Sequence, residues 1–93
     1  MFKVNQYFDE AVTSIAFSNA SGDATIGVMA AGEYRFAASR NETMHLISGA
    51  MTVKLANCIS WSEFITGQQF DVEAGTEFDI KIKEDTAYFC EYF

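Results

Sequence analysis

Hydrophobic and polar residues alternate along most of this chain. In Glu77–Lys83, Phe78, Ile80 and Ile82 interleave with Glu77, Asp79, Lys81 and Lys83. In Ala50–Leu55, Met51, Val53 and Leu55 face one way and Thr52 and Lys54 the other. Ala87–Phe93 sorts into Tyr88, Cys90 and Tyr92 against Phe89, Glu91 and Phe93. A two-residue period is that of a strand with one buried face. No window of about 11 residues keeps the i, i+3, i+4, i+7 spacing of an amphipathic helix.

The same pattern predicts strands at Val12–Ser18, Ala24–Ala30, Glu33–Ala37, Glu42–Ile47, Glu63–Ile65 and Gln69–Val72. Asn19–Asp23, Ser39–Asn41, Glu73–Gly75 and Glu84–Asp85 carry turn chemistry between them. Gly49 sits where Glu42–Ile47 and Ala50–Leu55 would fold back as a hairpin. Ala56–Ser62 is a loop anchored by Trp61. Residues 5–10 fit either one helical turn or a strand. Eight to ten short strands with turns every 8–12 residues or so predict an all-β sandwich or barrel.

Ninety-three residues suffice for one domain, taken as 1–93. The chain is 49% hydrophobic and 15% aromatic, with nine Phe. That exceeds what a small barrel interior needs, and predicts a lined pocket or a face covered by another subunit. Net charge is −7, six Lys and Arg against thirteen Asp and Glu. No basic cluster is present, which argues against nucleic acid and anionic membrane as partners. The opening residues lack an apolar core long enough for a signal sequence. No stretch reaches the roughly 18 apolar residues of a membrane span. Cys58 and Cys90 follow no metal spacing, so both are expected as reduced thiols in a cytoplasmic protein.

The polar chemistry concentrates in residues 33–49, which hold Arg35, Arg40, the single His45 and Glu42. Parity divides this stretch. Tyr34, Phe36, Glu42, Met44 and Leu46 point inward, and Glu33, Arg35, Thr43 and His45 outward.

Two spacings resemble reduced cupin motifs. Glu42 is followed by six residues and Gly49; Gly67 is followed by five residues, Glu73-Ala74-Gly75, two more and Phe78. In metal cupins, histidines and a glutamate at these positions bind the metal. Here only Glu42 matches, Phe78 takes a histidine position, and no histidine pair precedes Glu42. A metal site is therefore not expected.

A longer series of motifs runs nearly end to end: Asn5-Gln6-Tyr7-Phe8, Ser14-Ile15-Ala16-Phe17-Ser18, Gly27–Phe36, Glu42–Gly49, Phe70-Asp71-Val72 and Tyr88–Tyr92. Together they resemble the single-cupin pyrimidine/purine nucleoside phosphorylases. Two positions depart from the family pattern: Glu91 stands where a basic residue is expected, and Ala38 where a hydroxyl is expected. The resemblance implies a small single-domain cupin-like β-barrel of jelly-roll type, and a homodimer. It implies a pentosyltransferase that turns diverse nucleosides and phosphate into free base and (deoxy)ribose 1-phosphate. No metal or organic cofactor is implied, with inorganic phosphate as co-substrate.

Under that reading, Glu42 grips the ribose hydroxyls and Arg35 holds phosphate bidentately. Tyr34, Phe36, Met44, Ser48, Phe78, Tyr88 and Tyr92 line the substrate site, and backbone amides near Ser48-Gly49 offer a second phosphate rest. The plainer readings are a rim carboxylate at Glu42, surface charges at Arg35 and Arg40, core packing for the aromatics, and a small buried hydrophobe at Cys90. A non-catalytic binder on the same barrel stays open as an alternative, with a metal-dependent cupin enzyme behind it.

Overall fold

The computed structural model describes residues 2–93, and among these every regular element is a strand. The ten strands are β1 (Lys3–Tyr7), β2 (Val12–Asn19), β3 (Gly22–Met29), β4 (Gly32–Ala37), β5 (Glu42–Ser48), β6 (Ala50–Lys54), β7 (Ser62–Ile65), β8 (Gln69–Val72), β9 (Glu77–Ile82) and β10 (Thr86–Tyr92). They form two antiparallel sheets. The larger runs β1-β2-β3-β10-β5-β8, and the smaller β4-β9-β6-β7. The fold is the expected cupin-like one, but the sheets keep open edges and do not close into a barrel.

Alternation decides the packing. Inward Met44 and Leu46 of β5, Phe70 and Val72 of β8 and Cys90 of β10 meet Met51 and Val53 of β6 and Phe78, Ile80 and Ile82 of β9. Each fully buried aliphatic side chain among them contributes about 1.5–3 kcal/mol. This core and a cavity share the space between the sheets, with Met29, Met44, Phe78, Tyr88 and Cys90 belonging to both.

Two local readings change. Gly49 does not turn a hairpin. β5 pairs with β10 and β8, whereas β6 pairs with β9 and β7, so Gly49 carries the chain from one sheet to the other. Its φ of +114° suits glycine, and a Cβ there would lie 2.5 Å from Thr86 Oγ1. Residues 5–10 hold the end of β1 and then a left-handed turn. Phe8, Asp9 and Glu10 have φ of 54°, 54° and 71°. Three successive non-glycine residues in this region are costly, at about 1–2 kcal/mol each. The turn places the Phe8 ring 5.0 Å from Tyr34 and 5.5 Å from Phe36.

Candidate active site

The inner face of the larger sheet is laid out in rows by its register. Asn5, Ser14, Gly27, Tyr88 and Leu46 lie in line across β1, β2, β3, β10 and β5. Thr25, Cys90 and Met44 form a second line, and Asp23, Tyr92 and Glu42 a third. Above these rows the sheets part around a cavity of about 510 Å³. That is within the roughly 300–1,000 Å³ range of small-molecule sites. Met29, Met44 and Phe78 separate it from the core, Phe8 and Phe36 wall it on the side of the smaller sheet, and Tyr7, Tyr88 and Tyr92 bring hydroxyls.

Of the predicted site residues, Glu42, Phe36, Met44, Phe78, Tyr88 and Tyr92 line this cavity, and Arg35 borders it. Tyr34 and Ser48 do not. Tyr34 points inward as expected but lies deeper, in the core, with its hydroxyl donated 2.6 Å to the Ala30 carbonyl. Ser48 is exposed beyond the β10 bulge, opposite Ala87. Arg35 leaves the outer face of the smaller sheet, where Nε and Nη2 donate to the two Asp79 oxygens at 2.8 and 3.3 Å. That pair holds the Asp79 carboxyl below its usual range.

Glu42 is half-buried, and burial pushes its carboxyl above the ordinary value. The one side chain that opposes this is Cys90, whose thiol donates to Glu42 Oε1 at 3.4 Å. Burial pushes the Tyr88 phenol up to about 12, opposed by a hydrogen bond with Ser14. It pushes Tyr92 up as well, opposed by the 3.1 Å bond with Thr25. Both phenols are therefore neutral and able to donate at physiological pH. Burial, and then the Glu42 charge, drives the Cys90 thiol far up, so it stays protonated and is no nucleophile.

Sequence reading missed Asn5, Tyr7, Ser14, Thr25 and Ser39, which also line the cavity. Asn5 and Tyr7 were signalled only by the alternation of β1, which is weak in a strand exposed on both faces. A shallower hollow continues past Tyr92, Thr25 and Ser39 to Lys3 and Arg40. There Arg40 donates to Asp23 at 2.8 Å and to the Phe93 carbonyl at 3.2 Å, and its guanidinium lies 5.8 Å from the centre of the Tyr92 ring.

Neither departure from the family pattern reaches the cavity. Ala38 is buried, its backbone paired with Thr76 and Gly75. Glu91 lies on the outer face of the larger sheet, 2.6 Å from Nε2 of His45, which stacks on Phe89. His45 is thus outward, as parity predicts. Among the described residues no three His, Cys, Asp or Glu side chains converge on a point.

Comparison with known proteins gives a consistent result. Residues 2–92 match the family described as pyrimidine/purine nucleoside phosphorylase. A Pseudomonas syringae protein of that name is 60% identical over 92 residues, covering 99% of both chains. A Pseudomonas aeruginosa protein of the same name is 56% identical over the same span. Among solved structures, a Vibrio parahaemolyticus protein of unknown function superposes with TM-score 0.96 at 38% identity, covering all of this chain and 99% of that one. The Salmonella typhimurium ethanolamine utilization protein Q, at 10% identity and TM-score 0.72, covers 97% of this chain and 91% of its own and shares the fold alone.

Proposed function

The chain belongs to the pyrimidine/purine nucleoside phosphorylase family, and on that premise we propose that it transfers the pentose of purine and pyrimidine nucleosides to inorganic phosphate, as a cytoplasmic homodimer working without metal or organic cofactor. The observation that carries this reading is the placement of Glu42. It is a half-buried carboxylate in a cavity walled by Phe8, Phe36 and Phe78 and bordered by neutral tyrosine hydroxyls.

Phosphorolysis forms a bond from a phosphate oxygen to C1′ as the C1′–N bond breaks. The base leaves with the bonding electron pair, and the pentose passes through an oxocarbenium-like state. A carboxylate on the ribose hydroxyls tightens its hold as positive charge grows on the ring. Glu42 is suited to that role. Phe8, Phe36 and Phe78 offer faces on which any base stacks, which fits broad specificity. Tyr88 and Tyr92 supply donors to the charge on the departing base. Phosphate meets the cavity at its rim. Arg35 and Ser39 border it there, and Arg40 borders the adjoining hollow. Both guanidiniums already hold a carboxylate, but Arg35 holds Asp79 by two bonds whereas Arg40 holds Asp23 by one and lies against the Tyr92 ring, so Arg40 is the better placed to exchange its partner for phosphate. The absence of a metal in this reading rests on the donor set: one carboxylate beside an unionised thiol, with the only histidine on the outer face.

The homodimer is supported by that outer face. Val4, Ile15, Ile26, Phe89 and His45 form a row across five strands, with Val4, Ile15 and Ile26 each about half exposed. The carboxylate beside this row, Glu91, is hydrogen-bonded to His45 and not left bare toward a second copy. Phosphorus NMR tests the chemistry. Pentose 1-phosphate growing at the expense of inorganic phosphate supports it, and free pentose with phosphate unchanged would point to hydrolysis instead.

A further inference from the structure

We propose that Cys90 is a positioning residue for the Glu42 carboxylate: its buried thiol fixes Oε1 and leaves Oε2 as the acceptor that meets the sugar. The inference rests on the role given to Glu42 above. Its structural half stands without that role.

The geometry is set by strand pairing. β10 and β5 are neighbours, with Tyr92 opposite Glu42 and Cys90 opposite Met44. The Cys90 side chain, 1% exposed, therefore lies diagonally beside Glu42, and Sγ reaches Oε1 at 3.4 Å. The two tyrosines that flank Cys90 on the same face do not compete for the carboxylate. Tyr92 shares its hydroxyl with Thr25 at 3.1 Å and also meets the Cys90 sulfur, and Tyr88 is turned toward Ser14. Among the described residues no other side chain donates to Glu42. One oxygen is held and the other is free.

The chemistry of sulfur fits the task. A thiol is a weak donor. It orients the carboxylate without drawing off the negative charge that the developing oxocarbenium needs. A hydroxyl at the same place would bind more strongly and weaken the second oxygen as an acceptor. Burial keeps the thiol protonated, so the donor persists at every physiological pH. The titratable and charged groups around Glu42 are Cys90, Tyr88 and Tyr92 from β10, Tyr7 from β1 and, at the cavity rim, Arg35 from β4, with Asp71 of β8 and Glu73 after it across a second hollow; β8 and β9 also present Val72 and Phe78. Cys90 is the only one of them in hydrogen-bond contact.

The test follows the Glu42 carboxyl carbon by NMR titration in wild type, Cys90→Ala and Cys90→Ser, alongside pH profiles of kcat/KM. Cys90→Ala is expected to move the Glu42 midpoint up, Cys90→Ser to move it down, with kcat/KM falling about tenfold in the alanine variant and the acid limb of each profile following the midpoint. A Glu42 midpoint unchanged in the two variants would overturn the proposal. So would an alanine variant with wild-type kcat/KM and acid limb. Should Cys90→Ala fail to fold, the downward shift in Cys90→Ser decides the case alone. If the midpoints move as expected but wild type itself releases no base, the contact is upheld and the phosphorylase reading fails.

Discussion

The ring of Tyr88 lies directly over Gly27 on the neighbouring strand. A Cβ added at Gly27 would fall 2.6 Å from the Tyr88 hydroxyl and 2.8 Å from the Thr13 carbonyl. Gly27 is thus the gap that lets a tyrosine lie flat along the cavity floor. Gly27→Ala is expected to push Tyr88 up into the cavity and to strain β2. The loss of stability is about 1–3 kcal/mol, read as a shift in denaturant midpoint. The nucleoside KM should rise in the same variant while the phosphate KM changes little.

Glu42 links the cavity to pH-dependent stability. Its folded carboxyl titrates above the ordinary value of 4.5 because burial penalises the anion. Below 4.5 both states hold the proton and the group is neutral in its effect. As pH rises through the window between 4.5 and the raised folded value, the unfolded chain ionises first and stability falls. Glu42→Gln has no such step. It is expected to be more stable than wild type near neutral pH, the difference vanishing in acid. Urea midpoints on either side of the window check this.

The arginines separate by how firmly each is held: Arg35 by two bonds to Asp79, Arg40 by one to Asp23 and one to the Phe93 carbonyl. Arg40→Ala is expected to raise the phosphate KM by roughly tenfold, since one charged hydrogen bond contributes about 1.5–3 kcal/mol. Arg35→Ala, which breaks only an exposed pair with Asp79, should change it by less than threefold or so. Steady-state kinetics with phosphate as the varied substrate distinguishes the two.

The outer row of the larger sheet gives a prediction about assembly. Ile26 is 53% exposed at its centre, between Ile15 and Phe89. Ile26→Asp places an unpaired charge in the proposed contact and should yield folded monomer. Sedimentation or light scattering reads the mass, and circular dichroism verifies the fold.

Much of this was legible from alternation, because a period of two assigns each side chain to a face. Parity sets Phe36, Glu42 and Met44 on one inward face, and the family resemblance adds Phe78, Tyr88 and Tyr92; all six line the cavity. Parity does not give depth along the strand, however. Tyr34 shares the face of Phe36 but lies opposite Ile80, in the core. Ser48 shares that of Leu46 but runs out past the bulge. Gly49 was misread because a glycine that crosses between sheets and one that closes a hairpin carry the same local chemistry. The Cys90–Glu42 contact was invisible for another reason. It depends on the register between strands 48 residues apart, which no local pattern encodes.

The most direct measurement is release of free base from uridine and adenosine by chelator-treated protein, with and without phosphate, for wild type and Glu42→Gln side by side. Wild type should release base only when phosphate is present, and Glu42→Gln should lose roughly 10²-fold in kcat/KM. Full turnover by Glu42→Gln would contradict the role given to this carboxylate. Turnover that returns only with added metal would contradict the mechanism as a whole.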